Sequence, residues 1–226
     1  MRARLLPLML LGLGFGLMMG QGSGQADPAP TDGAPAHALD RHSPEALVFG
    51  MTPVVGKEAT AERFRPLTEF MARELGRPVE LVVTDSYGDL IDRMTRGEID
   101  LAKFSPLAYV RAKRQLPGLN LIASHVAAGS VNYSSYLVSL ASNPHSTVKH
   151  LKGARLCFAD PDSTSGYLFP VHHLQIMGLK PKQDFASLSF AGDHRRCLEG
   201  LFEGRSDGAA TWAGALRDAC QQLDQE

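Results

Sequence analysis

From Leu47 onward, short apolar runs alternate with stretches whose apolar residues recur at helical spacing. Residues 47–51 form an apolar run of strand length. Thr60 is placed to cap a helix carrying Phe64, Leu67, Phe70, Met71 and Leu75 on one face, ended by Gly76 with Pro78 beyond. Residues 79–84 are rich in Val and read as a strand. Leu90, Ile91 and Met94 line a short helix stopped by Gly97, and residues 99–102 read as a buried strand. Pro106 suits the first turn of a helix running to about Arg114, and residues 119–126 predict a further strand.

The pattern breaks at residues 129–132 and then repeats. Residues 133–140 and 155–159 read as strands. A helix carrying Leu174 and Met177 follows, ending at Gly178 with Pro181 beyond. Residues 188–190 form a strand, and Asp193 opens a helix that turns Cys197, Leu198, Leu201 and Phe202 inward. Residues 208–211 make the last strand, and Trp212 starts the last helix. Strands separated by amphipathic helices predict α/β architecture, each unit a mostly parallel sheet flanked by helices. Because the pattern runs twice, two lobes are expected, residues 45–130 and 131–226, with a hinge near 127–141. Ligands in such sheets sit beyond the carboxyl ends of the strands, where helices begin.

The N-terminus adds a targeting signal. Arg2 and Arg4 precede an apolar run from Leu5 to Met19, followed by a small, polar stretch. This is the layout of a secretory leader, residues 1–26, cleaved near Ala26. The run falls short of the roughly 20 apolar residues of a spanning helix. Residues 27–44, rich in Pro, Ala, Asp and His, read as a disordered linker. The predicted location is therefore periplasmic. The formal net charge of −1 gives no basic field, and so no nucleic-acid partner is expected. An oxidising compartment permits a disulfide. Cys157 and Cys197 fall in a strand and a helix of the same lobe, and either a bond or two small buried apolar side chains suits them.

The strand–helix junctions carry hydroxyls and aromatics rather than catalytic acids. Ser163, Thr164, Ser165 and Gly166 follow one strand and precede a helix. A helix start offers unpaired N–H groups and partial positive charge, the hydroxyls add donors, and Gly166 lets an oxyanion approach the backbone. The same residues also suit a plain helix cap. Pro170 is at odds with a helix interior, so the helix either starts near Leu168 or kinks. His194 stands at a second helix start, where the dipole favours a neutral ring. Thr52 and Ser105 offer hydroxyls at two more junctions, and Tyr87, Tyr133 and Trp212 can wall a pocket. Adjacent His172 and His173 lack an acidic partner, so neither metal nor cofactor is expected. No nucleophile–base pair is evident, so the protein is not expected to be an enzyme.

These residues resemble a known family. The segments 49–53, 65–67, 86–87 and 105–110 are similar to the first lobe of periplasmic phosphonate/phosphite/phosphate-binding proteins of ABC transporters. The segments 160–170 and 190–194 are similar to that family's second-lobe motifs. The resemblance implies a two-lobed type II periplasmic-binding-protein fold that closes on its ligand. It implies a small phosphorus oxyanion as ligand, and an ABC permease with its ATPase as partners. The implied anion contacts are Ser163, Thr164, Ser165 and His194. Tyr87 and Tyr133, and with a looser match Trp212, stand at positions that contact ligand in relatives. Ser105 departs from the pattern, which has glycine before Pro106. Family members continue past the last second-lobe helix and return to the first lobe, so the C-terminal part is expected to be truncated here. A sensor role, signalling ligand state to a membrane partner, is the alternative for the same fold.

Overall fold

The computed structural model describes residues 5–7, 46–126, 132–143 and 147–223. The expected linker, the leader apart from residues 5–7, and residues 127–131 of the expected seam and hinge lie outside the described residues, whereas residues 135–140 of the expected hinge form a strand. The strands are β1 (Leu5–Pro7), β2 (Leu47–Met51), β3 (Val79–Val83), β4 (Leu101–Lys103), β5 (Ser135–Leu140), β6 (Arg155–Phe158), β7 (Ser187–Phe190) and β8 (Gly208–Trp212). The helices are α1 (Lys57–Leu75), α2 (Tyr87–Thr95), α3 (Pro106–Gln115), α4 (Phe169–Ile176), α5 (Pro181–Asp184), α6 (His194–Phe202) and α7 (Ala213–Leu223).

The first lobe is a parallel sheet in the order β3-β2-β4, as its β-α-β-α-β pattern requires. Helices α2 and α3 close over a core of Tyr87, Ile91, Ala108, Ala112 and Leu119. Gly50 sits in β2 where the Leu90 and Ile99 side chains press on the backbone, leaving under 3 Å for any Cβ. The second lobe has the order β1-β5-β8-β6-β7. Its sheet is mixed. β6 runs parallel to β7 and β8, whereas β5 pairs antiparallel with both β8 and β1. The expectation of a mostly parallel sheet therefore holds for the first lobe and for half of the second lobe's pairings. Alternation along β5 and β6 splits this lobe's core. Leu137, Leu156 and Phe158 face Leu151 and Leu174 on one side. Val138 and Cys157 face Cys197, Leu198 and Leu201 on the other.

Three expectations are corrected. Residues 119–126 form no strand. Leu121, Ile122 and Val126 are exposed, and no described strand pairs with them, so β-propensity finds no ladder to join. Helix α1 begins at Lys57, three residues before Thr60, behind Gly56, whose φ of 89° suits a residue without Cβ. Thr60 is instead buried, its Oγ1 accepting the Val55 N–H at 3.4 Å. Leu67, Phe70 and Leu75 do not face the core. They are exposed, and the buried positions on α1 are Thr60 and Thr68.

Cys157 and Cys197 are joined in a disulfide between β6 and α6, with Cα atoms 5.6 Å apart. No helix among the described residues is long and apolar enough to cross a membrane.

Candidate functional site between the lobes

The segment after β6 is built by an unusual turn. Ser163 is extended, and its Oγ accepts the Gly166 N–H at 3.0 Å. Residues Thr164–Leu168 then form a π-helical turn, with the Leu168 N–H donating to the Ser163 carbonyl. Pro170 explains the change of register. It has no N–H to give its i−4 partner, the Gly166 carbonyl, which accepts from the Ala159 N–H at 3.1 Å instead. Pro170 thus occupies the first turn of α4, and the helix starts at Phe169. Packing alone requires glycine at 166. A Cβ there would lie 2.5 Å from Ala159 Cβ, 2.8 Å from Ser163 Oγ and 2.9 Å from His194 Cε1.

Ser163, Thr164 and Ser165 are all buried. Tyr87, at the start of α2 in the other lobe, is buried with its hydroxyl hydrogen-bonded to Ser163 and Thr52. Burial pushes its pKa up to about 12, so it stays a neutral donor. Tyr133 is 38% exposed, and its hydroxyl reaches Thr164 and Ser165. Its ring stands edge-on to Trp212, with centroids 6.3 Å apart. Ser135 Oγ donates to the Ser165 carbonyl at 2.7 Å.

His194 begins α6 behind Asp193, which caps the helix by accepting the Arg196 N–H at 2.8 Å. The ring is buried, with Nδ1 3.3 Å from Thr211 Oγ1, and it is hydrogen-bonded to the Ala210 carbonyl. Burial lowers its pKa to about 4, against which the Ala210 hydrogen bond acts, so the ring is neutral at physiological pH. As pH falls below about 6.5 the unfolded chain protonates this ring, while the folded state resists until about pH 4. Stability is therefore fully present above pH 6.5 and falls through that window. From pH 7.5 to pH 5 the loss is expected to be about 2 kcal/mol. Urea unfolding of the wild type and of His194→Gln at both pH values checks it, since the variant lacks this share of the loss.

The lobes meet directly at these residues. Ser105 Oγ donates to the Asp162 carbonyl at 3.0 Å and accepts the Ala108 N–H at 3.2 Å, so it ties the lobes together and caps α3. The Leu107 N–H donates to Thr164 Oγ1 at 2.8 Å. Arg111 on α3 pairs with Asp162, and Arg63 on α1 pairs with Asp218 on α7 at 2.8 Å. The nine site residues expected from the sequence, Thr52, Tyr87, Ser105, Tyr133, Ser163, Thr164, Ser165, His194 and Trp212, thus fall into one connected set. Arg111, Asp160 and Thr211 join this set beyond the nine residues expected. Thr211 was legible as a hydroxyl at a strand end, whereas nothing local marks Arg111. Among the described residues no cluster of three or more His, Cys, Asp or Glu is arranged to hold a metal.

Two α/β lobes closed on a buried set of hydroxyls, with a neutral imidazole and aromatic edges, define the two-lobed type II periplasmic binding-protein class. Residues 49–226 match the model of the phosphonate periplasmic substrate-binding protein of ABC transporters, and the chain belongs to that family. It is a transport family rather than an enzyme class. The chain is 28% identical over 173 residues to the phosphate-import protein PhnD of Mycolicibacterium smegmatis, covering 73% of this chain and 54% of that protein. It is 27% identical over 169 residues to the phosphonates-binding periplasmic protein of Escherichia coli K12, covering 73% and 49% respectively. In fold it is similar to PhnD1 of Prochlorococcus marinus in complex with methylphosphonate, with a TM-score of 0.72, 23% identity, and coverage of 81% of this chain and 69% of that one. The chain spans about half the length of the two curated relatives.

Proposed function

We propose that this protein is exported to the periplasm and captures a small phosphorus oxyanion, namely phosphonate, phosphite or phosphate, for an ABC permease and its ATPase. The observation that carries the reading is the buried Ser163-Thr164-Ser165 set opposite neutral His194. Hydroxyls supply directional donors, and a neutral ring beside them adds no fixed counter-ion, which suits a tetrahedral anion of variable charge. The names of the relatives support the same ligand class.

The acidic groups nearby are engaged within the protein. Asp193 caps α6 and Asp85 pairs with Lys57. Asp160 accepts N–H groups from Asp162 and Tyr87. None of these three carboxylates, nor Asp162 with its Arg111 partner, is thereby left to receive a ligand ammonium, and aminoethylphosphonate gains no large advantage over ethylphosphonate.

Calorimetric titration with phosphite, methylphosphonate, ethylphosphonate, aminoethylphosphonate, phosphate and sulfate tests the proposal. Ser163→Ala, Thr164→Ala and Ser165→Ala should each weaken binding of the preferred phosphorus oxyanion by about tenfold or more, one charge-assisted hydrogen bond each. Unchanged affinity in all three variants, with the circular dichroism spectrum intact, sinks the site. A preference for aminoethylphosphonate above about a hundredfold contradicts this account of the acidic groups.

A further inference from the structure

The Ser163-Thr164-Ser165 segment has carboxylates on its doorstep. Asp162 immediately precedes it, and Asp160, buried, lies two residues further back. The Asp162 N–H donates to Asp160 Oδ1 at 2.7 Å, so the two acids are locked into one short turn. Both negative charges stand beside the position where the proposed function places an anion. We take roughly 7 Å, about two Cα steps, as the separation of the Asp162 carboxylate from an anion on the next two residues. At that range one like-charge pair in a partly buried setting weakens binding by about tenfold or more.

One cation answers them, and it comes from the other lobe. Arg111 lies on α3, within the helix whose cap residue Ser105 donates to the Asp162 carbonyl. Its guanidinium pairs with the Asp162 carboxylate. The Arg111 side chain is 45% exposed, whereas that of Asp162 is only 13% exposed, so the shielded partner is the acid. Burial pushes the Asp160 carboxyl above its ordinary range. The Asp162 N–H pulls it back, the Asp162 charge pushes it up again, and the Tyr87 N–H and the Arg111 charge pull it down. Arg111 therefore acts on both acids.

We infer that Arg111 is a positioning residue for anion capture, crossing from the first lobe to neutralise Asp162 and Asp160 beside the Ser-Thr-Ser segment without itself touching the ligand. This rests on the proposed oxyanion site. It makes anion binding and lobe closure mutually dependent. An anion resting on the second lobe alone faces two uncompensated carboxylates, and bringing the lobes together supplies the missing positive charge. Arg111 thus favours the closed, occupied state over the open, occupied one.

Phosphite titrations of the wild type, Arg111→Ala, Arg111→Lys, Asp162→Asn and Arg111→Ala/Asp162→Asn test the inference, with a thermal melt of each ligand-free protein. Arg111→Ala should bind phosphite at least about tenfold more weakly. Its ligand-free melting point should move by less than about 4 °C, because the half-exposed guanidinium leaves this pair in contact with water and so adds little stability. Arg111→Lys should recover part of the loss. Asp162→Asn should bind at least as tightly as the wild type, and the double variant should regain most of the affinity lost in Arg111→Ala. A merely mechanical tie between the lobes gives the opposite pattern, in which Asp162→Asn weakens binding and cannot rescue. That pattern, or an Arg111→Ala variant with wild-type affinity, overturns the inference while leaving the oxyanion site standing. A folded wild type that binds no phosphorus oxyanion removes the proposed function first and this inference with it.

Discussion

Gly166→Ala is expected to abolish measurable anion binding and to destabilise the second lobe by about 3 kcal/mol. The added Cβ falls 2.5 Å from Ala159 Cβ, 2.8 Å from Ser163 Oγ and 2.9 Å from His194 Cε1. None of these neighbours has a free direction. Ala159 is held by its N–H bond to the Gly166 carbonyl. Ser163 is held by the Gly166 N–H, and the His194 ring is wedged against Thr211 and Ala210. Overpacking a dense core costs about 1–3 kcal/mol or more, and a contact between a Cβ and a backbone-fixed methyl stands at the upper end. The only relief is to move Ser163 and His194. Displacing the Ser163 donor together with the ring that braces it weakens binding by about a hundredfold or more. Urea unfolding with phosphite titration of the variant checks both parts. A variant that binds within about threefold of the wild type shows that the turn has slack absent from this packing.

Removing the Cys157–Cys197 disulfide is the second large effect. The bond closes a loop spanning 40 residues of sequence, for which chain entropy predicts about 4 kcal/mol of stabilisation. Cys157→Ala/Cys197→Ala should accordingly melt roughly 10 °C lower than the oxidised wild type. The cavity left by the two buried sulfurs adds to that loss. The bond also joins the strand that leads into the Ser-Thr-Ser turn to the helix that begins with His194. A weaker phosphite affinity should therefore accompany the loss of stability, even well below the melting point. Scanning calorimetry of the double variant, beside the wild type with and without reductant, decides the matter. Melting within about 2 °C of the oxidised wild type would show that the bond constrains nothing that folding needs.

Much of this was legible in the chain, and the exceptions share a cause. The strands beginning at 47 and 155, the helix opened by Asp193, the first-turn Pro106, and the stops at Gly76 and Gly178 were readable because each depends on a few consecutive residues. The inward face of α1 was misread because periodicity identifies a stripe but not what lies opposite it, and Leu67 and Phe70 remain exposed. Residues 119–126 carry strand-forming side chains, yet a strand exists only where another offers its backbone groups. Pro170 was recognised as a conflict. Its resolution, a π-turn that frees the Gly166 carbonyl for Ala159, required knowing where β6 ends.

The sequence by itself determined that the chain makes two α/β lobes and that hydroxyls, a histidine and aromatics gather where strands give way to helices. Capping, hydrophobic period and glycine punctuation all act over about one turn of backbone, so a linear reading captures them. Only the tertiary structure decided which hydroxyls are buried together and which, like Ser105, hold the lobes together. It also decided that Cys157 meets Cys197, that Gly166 is fixed by three neighbours, and that Arg111 answers Asp162. The Ser105 and Arg111 contacts join residues 57 and 51 positions apart, the disulfide residues 40 apart. Such pairs form because closing the sheets and the lobes brings their carriers together. That closure is a property of the whole packed chain, and no local pattern records it.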